Sequence, residues 1–187
     1  MKNDLFSIGP FTVHGYGLMI AIGVLSAYYM VEYRAKKKQM DWEKVFPLTV
    51  WSVLGGFLGS KILYLLTRLP DILANPALLG SSIKDGFVVY GGIIGGILTA
   101  WIYCKCTKWN FWKIFDIAMP AVAMAQGFGR IGCLLAGCCY GRELDSANPM
   151  AIVFHNSAYA PNDVALLPTQ IISSVLDFAN CFVLLAL

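Results

Sequence analysis

The stretch FWKIFDIAMPAVAMAQGFGRIGCLLAG, residues 111–137, decides the fold of this chain. It is longer than the roughly 20 apolar residues that a helix needs to cross a bilayer. Arg130 lies within it, and an arginine at that depth costs about 2.5–3.5 kcal/mol on insertion scales unless it faces protein or water. We therefore expect a membrane helix whose arginine has a functional role.

The composition of the whole chain agrees with an integral membrane protein. Of its 187 residues, 58% are hydrophobic and 13% are charged, and the mean hydropathy is +0.64. Soluble domains carry about 25% charged residues. The net charge of +3 is small and belongs to residues spread over several loops, so the sequence predicts no nucleic-acid surface.

Outward from residues 111–137, other apolar runs predict four more membrane helices. The predicted spans are 16–31, 45–66, 87–103, 111–137 and 171–187. The first run lacks the small-residue cleavage pattern of a signal peptide, so we expect it to remain in the protein. The predicted fold is an all-α polytopic membrane bundle that forms a single transmembrane domain over residues 1–187.

The distribution of basic residues predicts an N-terminus on the outside. Cytoplasmic loops are enriched in lysine and arginine, and with the N-terminus outside, eight such residues lie in inner loops and four in outer segments. The inner set is Arg34, Lys36, Lys37, Lys38, Lys44, Lys105, Lys108 and Lys113, and the outer set is Lys2, Arg68, Lys84 and Arg142.

Five polar side chains are predicted to converge near the outer headgroups. At a rise of about 1.5 Å per residue, Lys61 lies roughly 24 Å from the start of the second span and Arg130 roughly 28 Å from the start of the fourth. Tyr16, Tyr90 and Arg142 lie at outer ends of spans. Cations and phenols at this depth suit an anionic phosphate group. Interfacial tyrosines acting as belt anchors, and an ordinary solvated charge at Arg142, are the alternatives.

The glycines form two groups. Pairs spaced four residues apart within 55–59 and 91–96 are predicted to let helices pack closely. A second set surrounds Arg130 and is too dense for a stable straight helix. We expect a broken helix lining a polar cavity there. The glycines of this second set are Gly127, Gly129, Gly132, Gly137 and Gly141.

The cysteines and histidines give no metal signature. They lack paired C-x-x-C spacing and histidine partners, so we predict no metal site and no cofactor. His14 lies two residues before Tyr16 and is expected to share its site, whereas His155 lies in the polar segment 143–167. That segment is long enough for a functional loop, and a flexible connector is the alternative. The cysteines considered are Cys104, Cys106, Cys133, Cys138 and Cys139.

Five motifs together resemble the prolipoprotein diacylglyceryl transferase family, often abbreviated Lgt. The resemblance extends from about Phe6 to Leu187, and its most specific element is the arginine-glycine stretch after residue 126. In chain order the motifs are FTVHGYGLMIAIG, GGFLGSKILYLL, DGFVVYGGIIGGI, GFGRIGCLLAGCCYGRE and LPTQI.

The resemblance implies an enzyme of the bacterial inner membrane. Such an enzyme takes phosphatidylglycerol from the surrounding lipid and transfers its diacylglyceryl group to the cysteine thiol of a prolipoprotein lipobox segment, releasing glycerol 1-phosphate. The chain would be a multi-pass protein with its active site toward the outer leaflet. The expulsion of a phosphate agrees with the cationic site predicted from the residues, because preorganised cations stabilise a charge that develops on a leaving group.

The residues and the resemblance together assign site positions. The expected catalytic residues are Arg130, Tyr90 and Tyr16, with Arg130 in the position of the signature arginine. The expected substrate-binding residues are Arg130, Arg142, Gly141, Lys61, His14, Gly91 and Gly92.

Three positions depart from the family pattern. Tyr90 stands where the family has a histidine, Cys133 where it has an asparagine, and Cys138 where it has an acidic residue. A histidine with a pKa of about 6.5 accepts a thiol proton at neutral pH, whereas a tyrosine with a pKa of about 10 is mostly protonated. We therefore expect Tyr90 to orient the lipid, and the general base is left unassigned.

The length is a further departure. The resemblance implies about seven membrane helices and another functional arginine nearer the C-terminus. This sequence ends at Leu187, inside a short fifth span that carries Asp177 and Asn180. We expect a truncation at the C-terminus.

Two other functional classes fit parts of the pattern. A small helical transporter for an anionic solute would also combine close-packed glycines with intramembrane cations, but its site would lie at the midplane between internal repeats. A non-enzymatic assembly subunit would pair Arg130 with an acid such as Asp116. Helical rise separates those two residues by roughly 21 Å.

Overall fold

The computed structural model describes residues 4–8, 11–75 and 86–187. A hairpin of strands β1 (Asp4–Ile8) and β2 (Phe11–His14) leads into helix α1 (Gly15–Lys37). A 3-10 turn (Trp42–Lys44) precedes the later elements. These are α2 (Val45–Thr67), α3 (Leu69–Ala74), α4 (Val89–Cys106), α5 (Phe111–Ala136), β3 (Ile152–Val153), β4 (Ala165–Leu166) and α6 (Thr169–Ala186).

Five helices in the described ranges are long and apolar enough to cross a membrane. They are Gly15–Lys37, Trp42–Thr67, Val89–Cys106, Phe111–Ala136 and Thr169–Ala186. The five predicted spans are confirmed, with ends that differ by a few residues because caps and turns, rather than hydropathy, determine where a helix stops. The chain is a multi-pass helical membrane protein. Its two short hairpins were not predicted.

The chain divides into two compact units. One consists of residues 35–115, and the other joins residues 1–34 to residues 116–187. A single transmembrane domain over residues 1–187 stays a prediction.

The unit of residues 35–115 is built on close contact between α2 and α4. A Cβ added to Gly91 would overlap the carbonyl oxygen of Gly59, and one added to Gly59 would lie 2.9 Å from the Cα of Gly95. Only glycine lets the two backbones approach this closely. The glycine pairs of these helices therefore pack as predicted. A small core of Leu48, Cys104 and Ile114 adds to the unit.

Helix α5, whose residues from 116 onward belong to the other unit, is continuous from Phe111 to Ala136, and the predicted break near Arg130 is wrong. Packing explains why the glycines do not interrupt it. A Cβ on Gly127 would lie 2.8 Å from the ring of Phe178, and one on Gly132 would lie 3.2 Å from the ring of Tyr16. The glycines make room for neighbouring aromatic rings, and that tertiary packing overrides their low helix propensity.

Helix α5 ends in a Schellman motif. Gly137 has φ +72°, its N–H donates to the carbonyl of Leu134 (3.1 Å), and the N–H of Cys138 donates to the carbonyl of Cys133 (3.0 Å). A glycine in the left-handed conformation terminates helices in this way. The turn folds Cys138 back toward Cys133.

The segment after α5 is folded rather than a flexible connector. β3 pairs antiparallel with β4. Phe154, Ala160 and Leu166 form a buried cluster against which Leu134 of α5 packs. Polar side chains close its turns, since the amide oxygen of Asn162 accepts from the backbone N–H of Ser157 at 2.7 Å.

Candidate functional site

Arg130 is a half-buried residue of α5, six positions before the helix ends. Its guanidinium makes no hydrogen bond or ion pair with any other residue that the structure describes. The backbone beside it is open, because a Cβ added to Gly129 would meet nothing within 4 Å. A guanidinium carries five donors in a planar fork that matches a phosphate. Arg130 therefore offers an anion a planar set of donors that no described residue uses.

Tyr16 lies against the same part of α5. Its ring contacts Gly132, two residues beyond Arg130, and Met19 contacts the same glycine. The packing continues one turn on in each helix, where Gly23 meets Ala125 and Phe128. Tyr16 as a whole is 41% exposed. The structure thus places Tyr16 and Arg130, two predicted site residues, on adjoining helices of one unit.

His14 ends strand β2 and is exposed. The hairpin fixes its backbone, since it pairs with Asp4 across β1 and β2. His14 lies two residues before Tyr16, as the sequence indicates. Its role in substrate binding stays a prediction.

Gly141 and Arg142 lie in an extended segment held by Leu167. Gly141 donates its N–H to the carbonyl of Leu167 (3.0 Å), and Leu167 donates to the carbonyl of Arg142 (2.9 Å). A Cβ on Gly141 would lie 2.7 Å from the methyl group of Thr169. Glycine is therefore required sterically at 141, and the side chain of Arg142 is left exposed.

Three thiols lie together where α5 ends, which the sequence analysis did not find. The sulfur atoms of Cys133, Cys138 and Cys139 all lie within 4.8 Å of one another. The expectation of no metal site relied on linear spacing, which does not register residues that a Schellman turn brings together, and it stays a prediction. The signal that could have found the cluster is Gly137, which brings residues on either side of a helix end together.

Two side chains of α6 hold the backbone of this cysteine segment. Gln170 donates its amide N–H to the carbonyl of Cys138, and Thr169 donates its hydroxyl to the carbonyl of Cys139, both at 2.7 Å. Burial raises the pKa of the Cys138 thiol above its ordinary value. The thiol is therefore in its neutral form at neutral pH when no cation binds it.

Lys61 belongs to the unit of residues 35–115, and its ammonium contacts groups of that same unit. Its ammonium donates to the carbonyl of Gly86 at 3.1 Å. It also lies over the rings of Phe87 (4.6 Å) and Tyr64 (5.3 Å). Cation–π contacts and a carbonyl acceptor satisfy an ammonium at a low-dielectric site. These contacts explain how a lysine is tolerated in α2.

Tyr90 is the second residue of α4 and is 74% exposed. The two glycines that follow it contact α2, with Gly91 against Gly59 and Gly92 against Gly56. Helix packing is a sufficient reason for both glycines. Their predicted role in substrate binding, and that of Tyr90 in catalysis, stay predictions.

The predicted site residues are divided between the two units. His14, Tyr16, Arg130, Gly141 and Arg142 belong to the unit that contains α5, whereas Lys61, Tyr90, Gly91 and Gly92 belong to residues 35–115. The convergence of all of them at one membrane depth stays a prediction.

Comparison with known proteins gives one consistent family. The family model described as "Prolipoprotein diacylglyceryl transferase" matches residues 3–187. A phosphatidylglycerol--prolipoprotein diacylglyceryl transferase of Clostridium tetani is 43% identical over 185 residues, which are 99% of this chain and 73% of that protein. A second, from Clostridium perfringens, is 42% identical over 96% of this chain and 69% of its own length. A Dehalococcoides mccartyi relative of the same name is 32% identical over 88% of this chain and 63% of its own length.

Proposed function

The chain belongs to the prolipoprotein diacylglyceryl transferase family, and from that premise we propose that Arg130 is the cation on which its transfer reaction depends. The reaction takes the diacylglyceryl group of phosphatidylglycerol and joins it to a cysteine thiol of a prolipoprotein. A carbon–sulfur bond forms at the glycerol carbon, the carbon–oxygen bond to the phosphate breaks, and glycerol 1-phosphate leaves. The thiol proton goes to a base that is left unassigned.

The observation that carries this proposal is the unused guanidinium of Arg130. Negative charge on the phosphate grows as the carbon–oxygen bond breaks. A cation fixed beside the leaving group therefore stabilises the transition state more than it stabilises the bound lipid before reaction. Arg130 is fixed on a continuous helix, and no described side chain neutralises it. It is free to form a bidentate contact with the phosphate.

The other candidates take supporting roles. Arg142 and Lys61 contribute positive charge toward the headgroup, and Tyr16 donates its hydroxyl from the helix that contacts α5. Tyr90 and His14 orient the lipid. Gly91, Gly92 and Gly141 contribute space rather than side chains.

We place this chemistry in the outer leaflet of the bacterial inner membrane. The excess of basic residues on one set of loops supports an N-terminus on the outside. With that orientation the end of α5 and the folded segment 143–167 lie on the outer side. There a lipobox segment of a secreted prolipoprotein reaches the thiol-accepting site, and phosphatidylglycerol arrives from the surrounding membrane lipid.

A transfer assay with a lipid and a peptide tests the proposal. Purified protein in lipid nanodiscs is incubated with phosphatidylglycerol and a lipobox peptide, and mass spectrometry follows the gain of one diacylglyceryl unit. We expect the unsubstituted protein to modify the peptide and Arg130→Gln to lose about 10²–10³-fold in rate, the range for removing one charge-stabilising donor.

Arg68→Gln is the matched control. Arg68 is an exposed arginine whose charge already pairs with Asp71 at 3.0 Å, so its loss should leave the transfer rate within a factor of about two to three, as for ordinary surface substitutions. Equal rates for Arg130→Gln and the unsubstituted protein, with both folded, would remove Arg130 from the mechanism. An absence of any peptide modification by the unsubstituted protein would overturn the activity itself.

A further inference from the structure

Cys133, Cys138 and Cys139 form a compact triangle of sulfur atoms. The three Sγ atoms lie within 4.8 Å of one another, and all six cysteines, each in a described part of the chain, are free thiols. Two of the three are half-buried and Cys139 is exposed. The triangle is thus closed on one side and accessible on the other.

The backbone explains why three thiols meet. In a Schellman motif the residue at C″ contacts the residue at C3, and the pair is usually apolar. Here those two positions are Cys138 and Cys133, joined by the hydrogen bond between Cys138 N–H and the Cys133 carbonyl. Cys139 has φ +59°, an uncommon conformation for a residue with a side chain. The chain therefore turns twice within three residues around the sulfur atoms.

Two hydrogen bonds from α6 hold the backbone of the cysteine segment in place. The hydrogen bonds of Thr169 and Gln170 to the carbonyls of Cys139 and Cys138 lock the backbone that carries two of the thiols. Gln170 is 1% exposed, and its Oε1 accepts no hydrogen bond from the residues described in the structure. A buried acceptor without a donor is costly, and this one belongs to the same amide that donates to the Cys138 carbonyl.

We propose that Cys133, Cys138 and Cys139 form a binding site for a thiophilic d10 metal ion of the Zn²⁺ class. A Zn–S bond of 2.3 Å with tetrahedral angles separates the sulfur atoms by about 3.8 Å, so the observed triangle needs to contract by less than about 1 Å. The described residues place no histidine or carboxylate with the three thiols. A set of sulfur ligands alone selects soft metal ions over magnesium or calcium.

Binding changes protonation and leaves oxidation states unchanged. Three S–H bonds break, three metal–sulfur bonds form, and three protons are released to solvent. Three protein ligands leave a fourth tetrahedral position open. The open side is the one on which the exposed Cys139 lies.

The metal ion would clamp the end of α5 to the segment that continues to Arg142. Cys133 belongs to the helix, whereas Cys138 and Cys139 follow it, so one ion joins both sides of the Schellman turn. This site does not depend on the proposed transfer reaction. Its test therefore uses metal binding and thermal stability and leaves activity aside.

Cobalt reports thiolate coordination directly. Protein purified anaerobically under reducing conditions is titrated with Co²⁺, and then with Zn²⁺ in competition. We expect one Co²⁺ per chain, with thiolate-to-cobalt charge-transfer absorption in the near ultraviolet, displaced by one Zn²⁺. Zn²⁺ should also raise the midpoint of thermal unfolding, because a ligand that binds only the folded state stabilises it.

Serine variants identify the ligands. Cys139→Ser removes the exposed thiol and disturbs folding least. We expect it and Cys133→Ser each to weaken Co²⁺ binding at least about 100-fold. Even the loss of a group that only supports a metal ligand lowers metal affinity about 10–100-fold. Cys106→Ser is the matched control, because Cys106 is an exposed thiol of α4 outside the cluster.

Three results would overturn the site. One is a titration without charge-transfer absorption. Another is Co²⁺ binding that Cys139→Ser and Cys106→Ser leave equally strong. The third is peptide mapping that finds a disulfide within the triangle in protein isolated anaerobically from cells with its thiols alkylated at lysis.

Discussion

At the scale of single residues, Arg68 and Arg130 carry the same group in opposite circumstances. Arg68 is exposed and donates to Asp71 at 3.0 Å, and that hydrogen bond raises the pKa of Arg68. Arg130 lies in a membrane helix, and no described carboxylate pairs with it. The charge of the first arginine is compensated by a carboxylate of the same chain. The second needs an anion from elsewhere, because an isolated charge in a membrane span is costly.

Substituting the aromatic and cationic candidates separately ranks their roles. Tyr90→Phe removes one hydroxyl from a residue that is 74% exposed, and we expect no more than about a 10-fold loss of transfer rate, the equivalent of one net hydrogen bond. Arg130→Ala should lose about 10²–10³-fold. The lipid-to-peptide transfer assay measures both, and a larger loss for Tyr90→Phe would reverse the assignment.

Two glycines that precede Arg130 on α5 predict opposite changes in stability. Gly127→Ala places a methyl group 2.8 Å from the ring of Phe178, and we expect it to destabilise the protein by about 1–3 kcal/mol, as overpacking does. Gly129→Ala meets nothing within 4 Å, so it should gain up to about 1 kcal/mol from helix propensity. Thermal unfolding in one detergent compares them. Equal midpoints would contradict the packing of Phe178 on α5.

At the scale of elements, the spans could be predicted and the caps could not. A membrane helix is an average property of about 20 apolar residues, so five of them were evident from composition. The break expected near Arg130 was wrong because the low helix propensity of glycine takes no account of tertiary packing. The rings of Phe178 and Tyr16 pack against Gly127 and Gly132. The strands β1 and β2 were missed because a short hairpin beside a long apolar run has little pattern of its own.

The contact of α2 with α4 gives a prediction at this scale. A methyl group at Gly91 would overlap the carbonyl of Gly59 and lie 2.6 Å from the Cβ of Leu63, whereas one at Gly96 would lie 3.5 Å from the carbonyl of Ser52. We expect Gly91→Ala to lower the free energy of unfolding by about 1–3 kcal/mol and Gly96→Ala to have little effect.

Unfolding in detergent with increasing denaturant measures this pair of variants. Unchanged stability together with lost transfer in Gly91→Ala would contradict the packing role and favour direct substrate binding. Loss of stability in both variants would show that the helices are closer along their whole length than these contacts indicate.

At the scale of the whole molecule, the candidate site was predictable in part. Arg130 could be found because a charge in a span is conspicuous against an apolar background. The sulfur triangle could not, because linear spacing does not reveal that a left-handed glycine folds the chain back on itself at Gly137. The sequence also indicates nothing of how its candidates divide between two compact units.

The folded segment 143–167 should behave as a small structured element of the molecule. Phe154→Ala removes a ring that is 1% exposed, which costs about 3–5 kcal/mol in protein cores. We expect faster cleavage of this segment in limited proteolysis, with the membrane helices intact. Tyr159→Ala is the matched control, because that ring is 66% exposed. Equal cleavage of the two variants would mean that the segment is held by its ends alone.

Because Arg130 has no counter-ion among the residues that the structure describes, lipid composition is coupled to the stability of the fold. By mass action, an anionic phospholipid that binds the native guanidinium and ignores the unfolded chain adds RT ln(1 + [L]/Kd) to stability. Amphiphiles without an anionic group offer no such compensation. The protein would therefore be most robust in the bilayer that also holds its diacylglyceryl donor, and delipidation would weaken it before any chemistry is measured.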